Sequence, residues 1–153
     1  MSSINLKKIK RFLLIFFLFG IVNKNVAQVK VHTDMRTANW NIIGLRYDKE
    51  LTPGKWGSVY PAALKALNNK VITLPGYMIP TRVGSRFNDF MFSIVPVESC
   101  PFCGTGDIPS MVQVKALKPI PITEKPIKLS GIFIINDSGD DRSEFFLLNA
   151  KQL

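Results

Sequence analysis

The chain has 153 residues and a formal charge of +9, from 20 lysines and arginines against 11 aspartates and glutamates. The first 28 residues hold five of these cations and none of the acids, so the remaining chain, with 15 cations and 11 anions, is only mildly basic. This size and charge exclude a membrane channel, a disordered acidic tail and a multidomain enzyme, and they leave one globular domain.

The N-terminus has the three-part pattern of a secretory signal peptide. Four cations at positions 7–11 precede an apolar run over 12–22, and a short polar stretch then reaches the small residue Ala27. A basic end, an apolar centre and a small-residue cleavage region are typical of an export signal. The apolar run is shorter than the roughly 18 residues that a membrane-spanning helix requires. We therefore expect residues 1–28 to be a signal peptide, and the mature protein to be periplasmic or extracellular without a permanent membrane anchor.

Residues 29–57 show no lasting periodicity, because polar residues, glycines and a proline interrupt the stretch. This favours an irregular arm. Its aromatic and aliphatic residues, Trp40 and Trp56 among them, are too many for a solvated linker. The arm is therefore predicted to pack on the core, although such a cluster can also form a binding surface.

One short helix and then a series of strands are predicted for the rest of the chain. Ser58 can cap the helix, with Pro61 in its first turn and Asn68 near its end. After Lys70, runs of apolar or alternating residues predict five strands. They are expected at 71–79, 90–97, 111–117, 127–135 and 145–148. The first strand is predicted to bend at Gly76, as at a bulge or a barrel corner.

Five strands after one helix, without the spacing of βαβ units, predict a mainly β fold. The best fit over residues 58–153 is a small five-stranded antiparallel barrel of the OB type. One departure from that fold is expected. The helix usual between its third and fourth strands would fall at 118–126, where three prolines forbid it.

The most distinctive motif is the loop Cys-Pro-Phe-Cys-Gly at 100–104, which has three interpretations. Cys100 and Cys103 could ligate zinc or another soft transition metal, with His32, Asp107 or a second chain completing the site. They could form a redox pair with Cys100 as nucleophile, although the glycines and proline that follow oppose the helix such a pair requires. They could also form a local structural disulfide, because exported pairs tend to oxidise.

Other chemistry finds little support in the sequence. His32 is the only histidine, and it lies too close to the expected mature N-terminus to act as a preorganised base. No glycine-rich phosphate loop is present. Barrels of the OB type often bind single-stranded nucleic acid, but the export signal and the charge of +4 left after residue 28 argue against a nucleic-acid partner.

Several segments carry a resemblance to a known family. They are Trp40, Tyr60-Pro61, the strand at 71–80 that contains Gly-Tyr-Met-Ile-Pro, Phe92-Ser93 with Pro96, and the loop at 100–104. Together they resemble a family of small exported bacterial proteins classed as a domain of unknown function. Many of its members carry a Cys-x-His-Pro-Pro loop, whereas this chain has Cys-x-x-Cys-Gly and lacks that histidine. The resemblance implies a periplasmic, OB-like, non-enzymatic protein, and it supplies no substrate.

These observations lead us to expect a binding or accessory protein of the cell envelope rather than an enzyme. Its partner would be a small ligand or another envelope protein. Tyr77, Met78 and Phe102 are the expected ligand-binding surface, with Cys100 and Cys103 as a metal or disulfide pair beside them. The alternative is an envelope thiol-disulfide oxidoreductase that uses the same two cysteines.

Overall fold

The structure is a computed structural model that describes residues 35–96, 110–138 and 143–153. The predicted signal peptide lies outside these ranges and stays a prediction. Within them the chain forms two short helices and seven strands. In chain order these are α1 (Ala38–Ile43), β1 (Tyr47–Thr52), β2 (Lys55–Val59), α2 (Ala62–Lys65), β3 (Lys70–Ile79), β4 (Arg86–Ser93), β5 (Met111–Pro121), β6 (Ile127–Ile135) and β7 (Phe145–Gln152). Neither helix is long and apolar enough to cross a membrane.

The last five strands close into a barrel with the order β3-β4-β5-β7-β6, which confirms the predicted mainly β fold and the five-stranded OB-like barrel. The expectation of a wholly antiparallel barrel was wrong, because β5 and β7 run parallel, with Val114 opposite Leu147. The physical reason is the strand number. A closed ring of five strands cannot alternate direction throughout, so at least one neighbouring pair must be parallel.

The barrel strands form where the sequence alternates or becomes continuously apolar. On β5, Val112 and Val114 point into the core, whereas Lys115 on the outer face lies beside Asp89 of β4. Two strands are longer than expected, because β5 and β7 end later. Strand β4 has the expected length but is shifted, since it begins at Arg86 and ends at Ser93 instead of spanning 90–97. Residues 118–126 contain no helix, as their prolines predicted. Pro119 inside β5 is tolerated because residues 117–119 have no register partner on β4 or β7, and Pro121 is the last residue of the strand.

Gly76 lies where β3 changes neighbours. Residues 70–76 pair with β6, and residues 77–79 pair with β4. At this corner the two strands approach so closely that a Cβ atom on Gly76 would lie 2.6 Å from the carbonyl oxygen of Ser93. Only glycine fits without a backbone shift, and the predicted bend at this position is therefore a barrel corner.

Helix α1 contributes two side chains to the core of the barrel. Trp40 and Ile43 are 2% and 1% exposed, and the indole Nε1–H of Trp40 donates to the carbonyl of Pro75 at 2.7 Å. The Thr37 side chain caps the helix by accepting from the backbone N–H of Trp40. Helix α1, part of the segment 29–57, therefore packs on the core of the barrel.

The segment is not irregular, however. The described part of residues 29–57 contains α1, β1 and the start of β2, and Gly54 makes the turn between the two strands with a φ of 77°. The second helix also differs from the prediction. It begins after Pro61 as cap, because Ser58 belongs to β2, where it lies opposite Asp48.

Candidate binding site

Two of the predicted site residues lie in the interior. Tyr77 and Met78 are 6% and 5% exposed, and they pair with Ser93 and Phe92 of β4. They therefore do not form the exposed surface that the sequence suggested, since the strand is covered on both faces where it turns from β6 to β4. A contact between either residue and a ligand stays a prediction.

The other predicted site residues, His32, Cys100, Phe102, Cys103 and Asp107, lie outside the described residues. The metal, disulfide and thiol-exchange interpretations of the cysteine pair therefore stay predictions. The structure does describe the two strand ends between which the cysteine pair lies in sequence. Ser93 at the end of β4 pairs with Met111 at the start of β5.

Strands β1 and β2 form a hairpin that stands apart from the barrel; we call residues 47–59 the hairpin. Its strands pair antiparallel from Tyr47 opposite Val59 to Thr52 opposite Lys55. Every residue of β1 is exposed. Among the described helices and strands, each of these two has the other as its main neighbour. The hairpin therefore contributes little to the core.

Three large apolar side chains of the hairpin are exposed to solvent: Tyr47 at 50%, Leu51 at 58% and Trp56 at 66%. Leu51 lies over Gly57, where a Cβ atom would come within 2.6 Å of it. Trp56 is opposite Glu50, on the other face. A single exposed apolar residue is ordinary, but three on an element that packs little against the core indicate a binding surface.

Arg46 holds the hairpin to the barrel through a network of charged contacts. Its Nη1 lies 2.7 Å from Asp48 of β1, and its Nη2–H donates to Ser58 of β2 at 2.8 Å. Its Nε lies 2.9 Å from Oε2 of Glu144, next to the start of β7. The hydroxyl of Tyr60 donates to Oε1 of the same carboxylate at 2.8 Å. One guanidinium thus fixes both strands of the hairpin to the barrel.

The surroundings of this network raise the pKa of two of its members, Tyr60 and Arg46. Burial, followed by the hydrogen bond to Glu144 and the charge of that carboxylate, raises the pKa of Tyr60 to about 12. Partial burial works against the charge of Arg46, but hydrogen bonds to Glu144 and Asp48 outweigh it and raise the pKa of the guanidinium. Both donors to Glu144 therefore keep their protons across the physiological range of pH.

A cavity of about 420 Å³ lies at the base of the hairpin. Its lining includes Ile43, Arg46, Met91, Met111, Glu144 and Phe145. The size falls within the range of small-ligand sites, and an apolar floor beside a few polar groups is their usual composition. The cavity could accept an apolar side chain or a small group next to the pair of Arg46 and Glu144.

Comparison of the chain with family models, curated proteins and solved structures finds no match. The resemblance of the Gly-Tyr-Met-Ile-Pro strand and the cysteine loop to a family of exported proteins therefore stays a prediction.

Sequence reasoning identified neither the hairpin nor its anchor. The signal that was available for the hairpin is Pro53-Gly54, a dipeptide suited to the two central positions of a tight turn between strands. Nothing in the sequence joins Arg46 to Glu144, which are 98 residues apart. Only the closure of the barrel brings them together.

Proposed function

We propose that the protein is exported and serves the cell envelope as a binding or accessory protein that holds a partner protein through the hairpin. The observation that carries this proposal is the exposure of Tyr47, Leu51 and Trp56 on an element that packs little against the core. The N-terminal pattern of basic, apolar and small residues supports export.

The chemistry of the hairpin favours a partner with an apolar surface. Its four charged residues, Asp48, Lys49, Glu50 and Lys55, cancel to zero, so long-range charge attraction does not select the partner. The outer edges of both strands have no strand partner among the described residues. Such edges accept an added strand, which supplies main-chain hydrogen bonds while the exposed side chains supply apolar contact.

The anchor suits the hairpin for binding at low entropic cost. An isolated two-stranded hairpin is marginal in water, so it would lose much conformational freedom on docking. Here Arg46 bonds to both strands and to Glu144 at once, which orders the hairpin before a partner arrives.

The same network is poorly suited to acid-base catalysis. A general acid or base works best when its pKa lies near the operating pH, whereas Tyr60 has a pKa of about 12. Burial opposes the charge of Arg46, but hydrogen bonds to Glu144 and Asp48 outweigh burial and raise its pKa, so Arg46 is not poised to release a proton at neutral pH. These properties support a binding role for this end of the molecule.

The proposal can be tested by the size at which the protein migrates in gently extracted envelopes of its own cells. We expect the native chain to migrate in a complex and Trp56→Glu to migrate as the free protein. Val71→Glu is the matched control, because Val71 is 71% exposed but lies on β3. Migration of the native chain as the free protein, or equal loss of the complex in both variants, would refute the proposal.

The mass of the purified chain tests export separately, since an exported and processed protein should lack about the first 28 residues.

A further inference from the structure

The end of the barrel remote from the hairpin has a distinct surface. Strands β5 and β7 begin next to the cavity at the hairpin's base and end at this other surface, which we call the basic end. Two loops, 80–85 and 122–126, and the last residues of β7 meet there. The N–H of Ile122 donates to the carbonyl of Ser85 at 2.9 Å, and the N–H of Leu153 donates to that of Lys128 at 3.0 Å.

The basic end carries a concentration of positive charge. Its exposed cations are Arg86, Lys118, Lys125, Lys128 and Lys151. Among the described residues of these loops and strand ends, Glu124 is the only acidic side chain. Arg82 also lies here, but its charge acts on Asp89. Burial opposes ionisation of the Asp89 carboxyl, but hydrogen bonds from Gln113 and Lys115 and the charges of Lys115 and Arg82 outweigh burial and lower its pKa. Five cations therefore face one acid.

Exposed apolar residues accompany these charges. Val83 at the tip of its loop is fully exposed, Leu117 is 65% exposed and Ile122 is 47% exposed. They come from both loops and from the segment of β5 that lacks a register partner. Apolar tips surrounded by lysine and arginine characterise surfaces that enter the interface of an anionic bilayer.

A cleft opens on the same surface. The pairing of β5 with β7 ends at Ala116 opposite Ala150, and the strands then diverge around a cavity of about 450 Å³. Arg86, Lys118 and Lys151 line it together with Leu117 and Ile120. An anionic group held there would contact cations from three strands.

We propose that the basic end docks on the anionic lipid surface of a membrane, with Val83 and Leu117 in the interface and a lipid headgroup phosphate in the cleft. The distribution of the features favours a flat anionic surface over an acidic peptide. Val83 and Ile122 stand exposed on two separate loops, and Leu117 lies exposed on β5 at the cleft, so the three do not line one groove. Cations from β4, β5, β7 and the 122–126 loop accompany them. Docking at this end leaves the hairpin, at the opposite end, free to hold a partner.

Sedimentation of the mature protein with lipid vesicles tests this proposal. We expect binding to vesicles of equal parts phosphatidylglycerol and phosphatidylcholine, weakening as salt rises, and much weaker binding to phosphatidylcholine alone. Lys118→Glu with Lys151→Glu should weaken binding to the anionic vesicles about tenfold or more, and Val83→Asp should weaken it severalfold. Lys65→Glu and Val71→Asp, exposed residues elsewhere on the molecule, are the matched controls and should leave it unchanged.

Three outcomes would overturn the proposal. They are no binding to the anionic vesicles, equal binding to both kinds of vesicle, and equal loss in the control variants. Binding of inorganic phosphate or polyglutamate without binding of vesicles would assign the basic end to a free anion or an acidic peptide and would also refute lipid docking. Circular dichroism of each variant shows that loss of binding is not loss of fold. None of these measurements depends on the hairpin's partner.

Discussion

Arg46 and Glu144 are 98 residues apart in the chain, yet the guanidinium Nε of Arg46 lies 3.0 Å from Oε1 and 2.9 Å from Oε2 of the Glu144 carboxylate. Because Arg46 also bonds to Asp48 and Ser58, this ion pair connects both strands of the hairpin to the barrel. The position of the exposed hairpin therefore depends on Glu144, the residue before the last strand of the fold.

Replacing Glu144 by alanine should release the hairpin. The variant loses a half-exposed ion pair and the acceptor of the Tyr60 hydroxyl, so we expect the free energy of unfolding to fall by about 1–2 kcal/mol. Urea denaturation measures this loss. Hydrogen exchange should become faster at 47–59 and stay unchanged in β3. Glu124→Ala, in an exposed turn, is the control and should do neither; equal effects in the two variants would contradict the anchoring role.

The stability of the protein should fall at alkaline pH in a manner that depends on Tyr60. Its pKa of about 12 lies above the unfolded value of about 10. The stabilisation is therefore complete below pH about 10 and is lost as the pH rises through about 12. Ultraviolet titration of tyrosinate, combined with denaturation at each pH, measures both effects. Tyr60→Phe should remove a tyrosine that titrates near pH 12 and should flatten the decline in stability over this window. An unchanged stability profile in this variant would rule out the role of Tyr60.

The two tryptophans should differ in what they contribute to stability. Trp40→Phe leaves the carbonyl of Pro75 without its indole donor, so we expect a loss of about 1–3 kcal/mol in the free energy of unfolding. The same substitution at Trp56, which is 66% exposed, should change it by no more than about 0.5 kcal/mol. Denaturation followed by circular dichroism makes the comparison, and similar losses in both variants would be at odds with the packing of α1.

Two glycines offer a matched test of the barrel corner. A Cβ atom on Gly76 would lie 2.6 Å from a backbone oxygen, whereas one on Gly44 would meet nothing nearer than 3.5 Å. Gly76→Ala should therefore cost about 1–3 kcal/mol. Gly44 has a φ of −68°, which alanine adopts readily, so Gly44→Ala should be neutral or stabilise by up to about 1 kcal/mol. Melting temperatures report both changes, and a harmless Gly76→Ala would mean that β3 and β4 are not in close contact there.

The sequence predicted the barrel strands well because each is long enough to show its pattern. The alternation around Val112 and Val114 and the bend at Gly76 are set by neighbouring residues, so they can be recognised in the sequence and are also present in the fold. The hairpin and α1 were missed because five or six residues are too few to establish a period. Pro53-Gly54 indicates a tight turn, but it does not show by itself that strands flank the turn. The parallel pairing of β5 and β7 follows from the closure of an odd-numbered ring, which no local segment encodes.

The candidate site was harder to predict than the fold. Tyr77 and Met78 belong to a distinctive motif, but β3 passes from one neighbour to the other at that point and buries both side chains. Trp56 is exposed because the hairpin does not pack against the barrel at that position. The contact of Arg46 with Glu144 depends on the arrangement of the whole chain. Burial and long-range contacts of this kind cannot be obtained from residue types alone.

Photo-crosslinking in intact cells shows whether the hairpin contacts a partner protein. A photoreactive amino acid at position 56 should join the protein to one partner of constant mass, and positions 47 and 51 should give the same product. Position 71, equally exposed on β3, should give none, and Glu144→Ala should reduce the yield from position 56. Absence of a product from all three hairpin positions, or the same product from position 71, would show that the hairpin is not the surface that contacts a partner protein.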